Sequence, residues 1–187
     1  VGVVLSFFLL VFSTSVKSEI GLGIDLGGLS ISDSKVDPTV AKLDNLSGTY
    51  VTSSYDTGAI LLRAYLDTEV ISGVLTEVGI FQTSDLNATY TIDNNSASES
   101  YNVNGLDAAF VFKGSEDGFF IKGGAHYSSI NGASAVTING TEYDISSTST
   151  DGAGILIGGG MDISNYRTGF TYYSGVGGTS EAYLALL

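Results

Sequence analysis

The chain has no cysteine and no tryptophan, and only one proline, one methionine and one histidine. Without thiols it can form neither disulfides nor thiolate metal sites. Basic residues are also scarce: 7 Lys and Arg stand against 20 Asp and Glu, for a net charge of −13. A chain so poor in cations has no basic patch for nucleic acid. Nor does simple charge attract it to acidic surfaces. At 187 residues it is long enough for one domain.

What is abundant points to β structure. There are 25 Gly and 11 Tyr, with much Ser, Thr and Val, and helix formers cluster nowhere. The apolar run Val1–Phe12 has the length of a signal peptide and falls short of a membrane helix. Val16 and Ser18 fit the −3 and −1 places of a cleavage site, so residues 1–18 are expected to be a signal peptide without its initiating Met. The alternative is a buried N-terminal strand or helix. Residues 19–187 are then the folded domain.

Eight segments of that domain alternate apolar and polar residues. They are expected at Glu19–Ser32, Thr57–Asp67, Ser72–Thr83, Tyr101–Lys113, Phe119–Ile130, Gly152–Met161, Tyr166–Gly175 and Ser180–Leu187. Each is near the roughly 9–11 residues that a tilted strand needs to cross a bilayer. The joining stretches alternate in length. Thr68–Ile71, Gly114–Gly118 and Asp162–Asn165 are short; Asp33–Asp56, Ser84–Ser100 and Asn131–Thr150 are long and polar. Within the last, Asn139-Gly140 between alternating residues signals a hairpin. An even strand count with loops sorted by parity predicts an all-β, closed, antiparallel up-and-down transmembrane barrel of eight strands, with short periplasmic turns and long extracellular loops.

The segments GLDAAFVFKGSEDGFFIKGGAHYSS and TDGAGILIGGGMDISNYRTGFTYYSG resemble paired strands of small eight-stranded outer-membrane proteins, the OmpA/OmpX-like group. The likeness is one of pattern and spans about Glu19 to Leu187. It implies a Gram-negative outer-membrane location, contact with outer-membrane lipid and lipopolysaccharide, and assembly by the barrel-assembly machinery. Members of that group usually end on an aromatic residue, whereas this sequence ends on Leu187.

Parity assigns the faces. Asp25, Arg63, Glu77, Asp107, Lys113, Lys122, His126 and Arg167 are expected inside as an ion-pair network, because buried charges need partners. Arg63 should face Glu77 if the turn centres near Val70, and Asp107 should be a diagonal neighbour of Lys122. Ile60, Leu62, Val78, Ile80, Phe110, Phe112, Ile121, Tyr127, Phe170 and Tyr172 are expected toward lipid. Aromatic residues near strand ends, Phe112, Phe119 and Tyr166 among them, could form interfacial girdles. Strand eight leaves two phases open: Leu184 and Leu186 outward, or Tyr183, Ala185 and Leu187.

His126 and Ser128 share a strand face, and a Ser–His pair can be nucleophile and base. Outer-membrane lipid A deacylases carry a His-x-Ser-Asn stretch and a Glu. Here the stretch reads His126-Tyr127-Ser128-Ser129, the Asn is missing, and Glu142 lies in a loop hairpin. The expectation is a non-enzymatic envelope protein without cofactor or metal, with a plugged lumen and loops that meet an extracellular protein partner. A secreted soluble barrel that binds a small apolar ligand is the second reading. A lipid A-modifying hydrolase is the third.

Overall fold

The computed structural model describes residues 20–31, 52–56, 58–92, 95–114, 118–132, 135–138, 140–144, 150–164, 166–178 and 182–186. The expected signal peptide, most of the first long loop and Glu181 lie outside them. Twelve strands are present: β1 (Ile20–Ile31), β2 (Thr52–Tyr55), β3 (Gly58–Ile71), β4 (Val74–Thr83), β5 (Leu86–Ile92), β6 (Asn95–Lys113), β7 (Phe119–Asn131), β8 (Ala135–Ile138), β9 (Thr141–Asp144), β10 (Thr150–Ile163), β11 (Tyr166–Ser174) and β12 (Ala182–Leu186).

Eight of them, β1, β3, β4, β6, β7, β10, β11 and β12, close an antiparallel ring in which each pairs with the next along the chain and β12 returns to β1. The expected all-β eight-stranded antiparallel barrel is therefore present. Period-2 alternation dictates it: one face of every barrel strand is apolar, and closure leaves that face a continuous cylinder. The wall is uneven, however. β7 and β10 pair from Thr150–Ile130 to Met161–Phe119. β12 meets β1 only from Gly28–Leu186 to Ile31–Tyr183, so Ile20–Gly27 are paired on the β3 side alone among the described strands.

Several boundaries differ from expectation. β3 runs on to Ile71, and the turn to β4 is Ser72-Gly73, with Gly73 at φ 81°. Asp67 therefore pairs with Glu77, and Arg63 pairs with Phe81. Residues 68–71 are not a turn because a register shift between Glu69 and Ile71 lets the strand continue. Asp162 and Ile163 belong to β10, and Ser164, at φ 56°, makes the turn.

Ser84–Ser100 is not a loop. β5 and the first part of β6 form a hairpin from Leu86–Tyr101 to Ile92–Asn95, and β2 adds to its outer edge. Leu86, Ala88 and Tyr90 alternate with Asn87, Thr89 and Thr91, a strand period hidden by polar composition. The first three are buried, while the hydroxyls of Thr89 and Thr91 bond across the hairpin to Ser98 at 2.9 Å and to Ser96 at 2.8 Å. β8 and β9 form the expected Asn-Gly hairpin as a separate two-stranded sheet, so they do not widen the ring.

Candidate functional site in the barrel lumen

The barrel has a turn end, where β3 meets β4 and β10 meets β11, and an opposite loop end. Its lumen holds two differently built storeys.

The middle and turn-end storey is charged. Arg63, 1 % exposed, sits at its centre. Its Nε and one terminal nitrogen donate to both Asp107 oxygens at 2.8 and 2.7 Å, a bidentate fork. The other terminal nitrogen donates to Asp25 at 2.9 Å, and Glu77 accepts at 3.2 Å. Glu77 also accepts from Arg167, which donates through Nε to Asp162 at 2.8 Å. Lys113 completes the chain at Asp162, 2.6 Å away. Three carboxylates thus converge on one guanidinium, and a second guanidinium ties them to the turn end. Small residues make the room. A Cβ on Gly79 would lie 2.9 Å from Arg63 Nε, and one on Gly23 would lie 2.1 Å from the Tyr65 ring.

The predicted inward residues all lie on this face. Two predicted geometries do not hold. Arg63 and Glu77 are not cross-strand partners; the guanidinium reaches Glu77 diagonally because the tight turn moves the register by four residues' worth of pairing sum, placing Glu77 opposite Asp67. Asp107 and Lys122 are not diagonal neighbours either: Asp107 faces His126, and Lys122 faces Val111. Lys122 is 6 % exposed and, among the described residues, forms no ion pair; its stem lies against Gly158. Asp162 escaped the sequence reading because it was placed in a turn. Tyr65, Asp67 and Tyr173 share parity with residues that were chosen and could have been found by it.

The loop-end storey is apolar, which charge counting did not foresee. Leu61, Phe81, Val103, Leu156, Tyr173, Val176 and Ala185 form one buried cluster, with Ala59 and Ile130 packed against it. A 3-10 turn at Val176–Gly178, between β11 and β12, folds into the mouth and buries Val176. His126 and Ser128 hold that link. Gly177 N donates to Ser128 Oγ at 2.9 Å, and His126 Nε2 lies 2.9 Å from the Ser174 carbonyl, to which it donates in the Nε2–H tautomer. The imidazole packs edge-on against Tyr173 and Phe81. Both side chains are buried and face inward.

The outer face is the reverse. Of the predicted outward residues, Ile60, Leu62, Ile80, Phe110, Phe112, Ile121, Tyr127, Phe170 and Tyr172 are exposed, and Val78 is half-buried. Every barrel strand adds to this surface, including β1 with Ile20, Leu22, Ile24 and Leu26. β12 presents Leu184 and Leu186 and buries Ala185, which decides between its two phases. The aromatic residues at the turn end, Phe112, Phe119 and Tyr166, are also exposed. No helix among the described residues is long and apolar enough to cross a membrane, which says nothing of a crossing by strands. Nor, among the described residues, is there a His/Asp/Glu group placed to hold a metal ion.

No known family model matches the chain, and no curated protein matches it either.

Proposed function

We propose that this chain is an integral outer-membrane β-barrel without enzymatic activity, which serves envelope structure or surface recognition. The observation that carries the reading is the outer face. All eight barrel strands turn large apolar side chains away from the interior, while Arg63, Glu77, Asp107, Lys122 and Asp162 are buried inside. A soluble monomer rarely exposes apolar patches beyond a few hundred Å². A bilayer requires such a belt, together with a ring that satisfies its own backbone.

Loop-end segments, including the β2–β5–β6 sheet and the β8–β9 hairpin, are the parts available to an extracellular protein partner. Delivery through a signal peptide and insertion by the barrel-assembly machinery follow from the same reading. The lumen conducts poorly, because its charged storey is cross-linked and its apolar storey is capped by the Val176–Gly178 turn. Ser128 anchors that cap by accepting from Gly177 N, and His126 is spent on the Ser174 carbonyl at the end of β11, just before it; neither faces lipid.

The test is fractionation after expression in a Gram-negative host. The protein is expected in the outer-membrane fraction, resistant to alkaline carbonate, extracted by detergent, and faster on an unboiled gel than after boiling. Extraction into aqueous buffer would overturn the membrane reading. Large, stable openings in a planar bilayer would overturn the plug.

A further inference from the structure

The ring has one incomplete side. At the row Gly28–Leu186–Phe170, β12 lies between β1 and β11 and is paired with both. Two strand spacings, about 9.5 Å, separate β1 from β11 there. Past that row, toward the turn end, no ladder joins β1 to β11 among the described strands. In continued register Leu26, Asp25 and Ile24 stand level with Thr168, Arg167 and Tyr166. Ile20–Gly27 are paired only toward β3, and Tyr166–Gly169 only toward β10. The result is a slot one strand wide that runs from Leu26 down to Ile20, walled by unpaired backbone N–H and C=O groups.

Hydrocarbon does not tolerate such an edge, because no water is present to satisfy it. The outer rim of the slot is apolar. Tyr166, 82 % exposed, and Leu22, 76 % exposed, are the two most exposed large apolar residues among the described ones, and both flank it.

The inner side carries a charge. Gly23 and Gly21 have no side chains, so Tyr65 and Asp67 reach over them from β3 toward the slot. Asp67 is half-buried and stands opposite Glu77, a like charge. It accepts a hydrogen bond from the Gly21 backbone and forms no ion pair among the described residues.

These walls specify their occupant. It is an extended strand in line with β12 and antiparallel to both neighbours. Parity makes it apolar where it is level with Leu26, Ile24, Leu22 and Ile20. It is small and polar between Asp25 and Arg167, and it carries Lys or Arg level with Gly21, within reach of Asp67. No described segment of this chain is free to serve. Links at the turn end, such as Ser72-Gly73, are tight, and β2, β5, β8 and β9 lie at the loop end. Residues 1–18 adjoin the slot but are removed if they are a signal peptide.

We infer that this slot takes a strand from another protein, which enters at the turn end. This rests on the membrane reading, in which that end faces the periplasm. The barrel then anchors a periplasmic partner by strand addition.

The experiment adds the synthetic peptide Leu-Ser-Val-Ser-Val-Lys-Val to the full chain in a neutral polyoxyethylene detergent. Native mass spectrometry is expected to show one peptide per chain. Amide exchange should slow about tenfold or more within Ile20–Leu26 and Tyr166–Thr168, and nowhere on β7 or β10. The same peptide with Glu in place of Lys should bind about tenfold more weakly. Asp67→Asn should erase that difference. A peptide N-methylated at every second residue should not bind, because it lacks ladder donors. Absence of protection by the Lys peptide would overturn the inference, as would equal binding of the Lys and Glu peptides. If Asp67→Asn does not fold, the peptide comparison on wild type decides alone. Slow exchange at Ile20–Leu26 without peptide would also overturn it: in a monomer the chain's own residues fill the slot, and in a dimer a second copy does. A protein that needs detergent yet binds no peptide removes the slot partner and leaves the membrane reading standing.

Discussion

The two storeys of the lumen are built from the same strands with the same parity, yet they solve the problem of a narrow interior in opposite ways. Near the turn end the barrel fills itself with Arg63, Glu77, Asp107, Arg167 and Asp162, each charge offset by another. Near the loop end it uses Leu61, Phe81, Val103 and Tyr173, and folds a piece of connecting chain into the mouth. The difference teaches that "inward" does not mean "polar" in a small barrel. Eight strands leave room for side chains only, so what matters inside is that volume is filled; the carboxylates around Arg63 and Arg167 are all partnered, while Lys122 lies along Gly158 without an ion pair among the described residues.

Breaking the charged storey should have the largest effect. Arg63→Met leaves Asp25, Glu77 and Asp107 around a neutral side chain, and losing one partner of a buried pair costs about 3–5 kcal/mol. The expected outcome is a barrel that no longer survives on an unboiled gel, or an unfolding free energy, read from a urea titration, lowered by that amount. The apolar storey should yield next: Leu61→Ala, at 1 % exposure, is expected to cost about 2–5 kcal/mol, read from the same denaturation curve. If the two storeys fold independently, the two losses should add; coupling in the double variant would show that they form one unit.

Gly79→Ala sharpens the contrast from the other direction. It adds a methyl where Arg63 Nε lies 2.9 Å and the Ala64 carbonyl 3.2 Å from the new Cβ, so overpacking should cost about 1–3 kcal/mol. Ser128→Ala is gentler. It removes the acceptor for Gly177 N and should cost about 1–3 kcal/mol if that amide stays buried, and less if the cap opens to water. Hydrogen exchange tells the two apart, because faster exchange confined to Val176–Gly178 means an opened cap. The smallest effect needs no mutation. Backbone amides of β1 facing away from β3 within Ile20–Gly27 should exchange faster than those within Gly28–Ile31, where β12 is paired.

Much of the fold was legible because alternation is a local property. Ile60, Leu62 and Arg63 declare their faces without reference to any other strand, and closure follows from repeating that declaration eight times. The β5–β6 hairpin was not legible, because Thr89, Thr91, Ser96 and Ser98 make its exposed face as polar as a loop. Only Leu86, Ala88 and Tyr90 betray the strand. In the lumen the charged residues were legible as a set but not as a network. Parity says that Arg63 and Glu77 share the interior; it cannot say that Arg63 reaches Asp107 with two nitrogens while Glu77 bridges to Arg167 on a distant strand.

Along seven of the eight barrel strands the sequence by itself determined which side chains face in and which face out, because in a strand that choice depends only on the odd or even position of a residue; the phase of β12 was settled only by the buried Ala185. The tertiary structure alone decided who meets whom inside. Register depends on where a turn begins, and a two-residue turn at Ser72-Gly73 in place of a four-residue one moves every partner along the ladder. Closing the ring then brings together residues such as Glu77 and Arg167, which lie 90 positions apart along the chain.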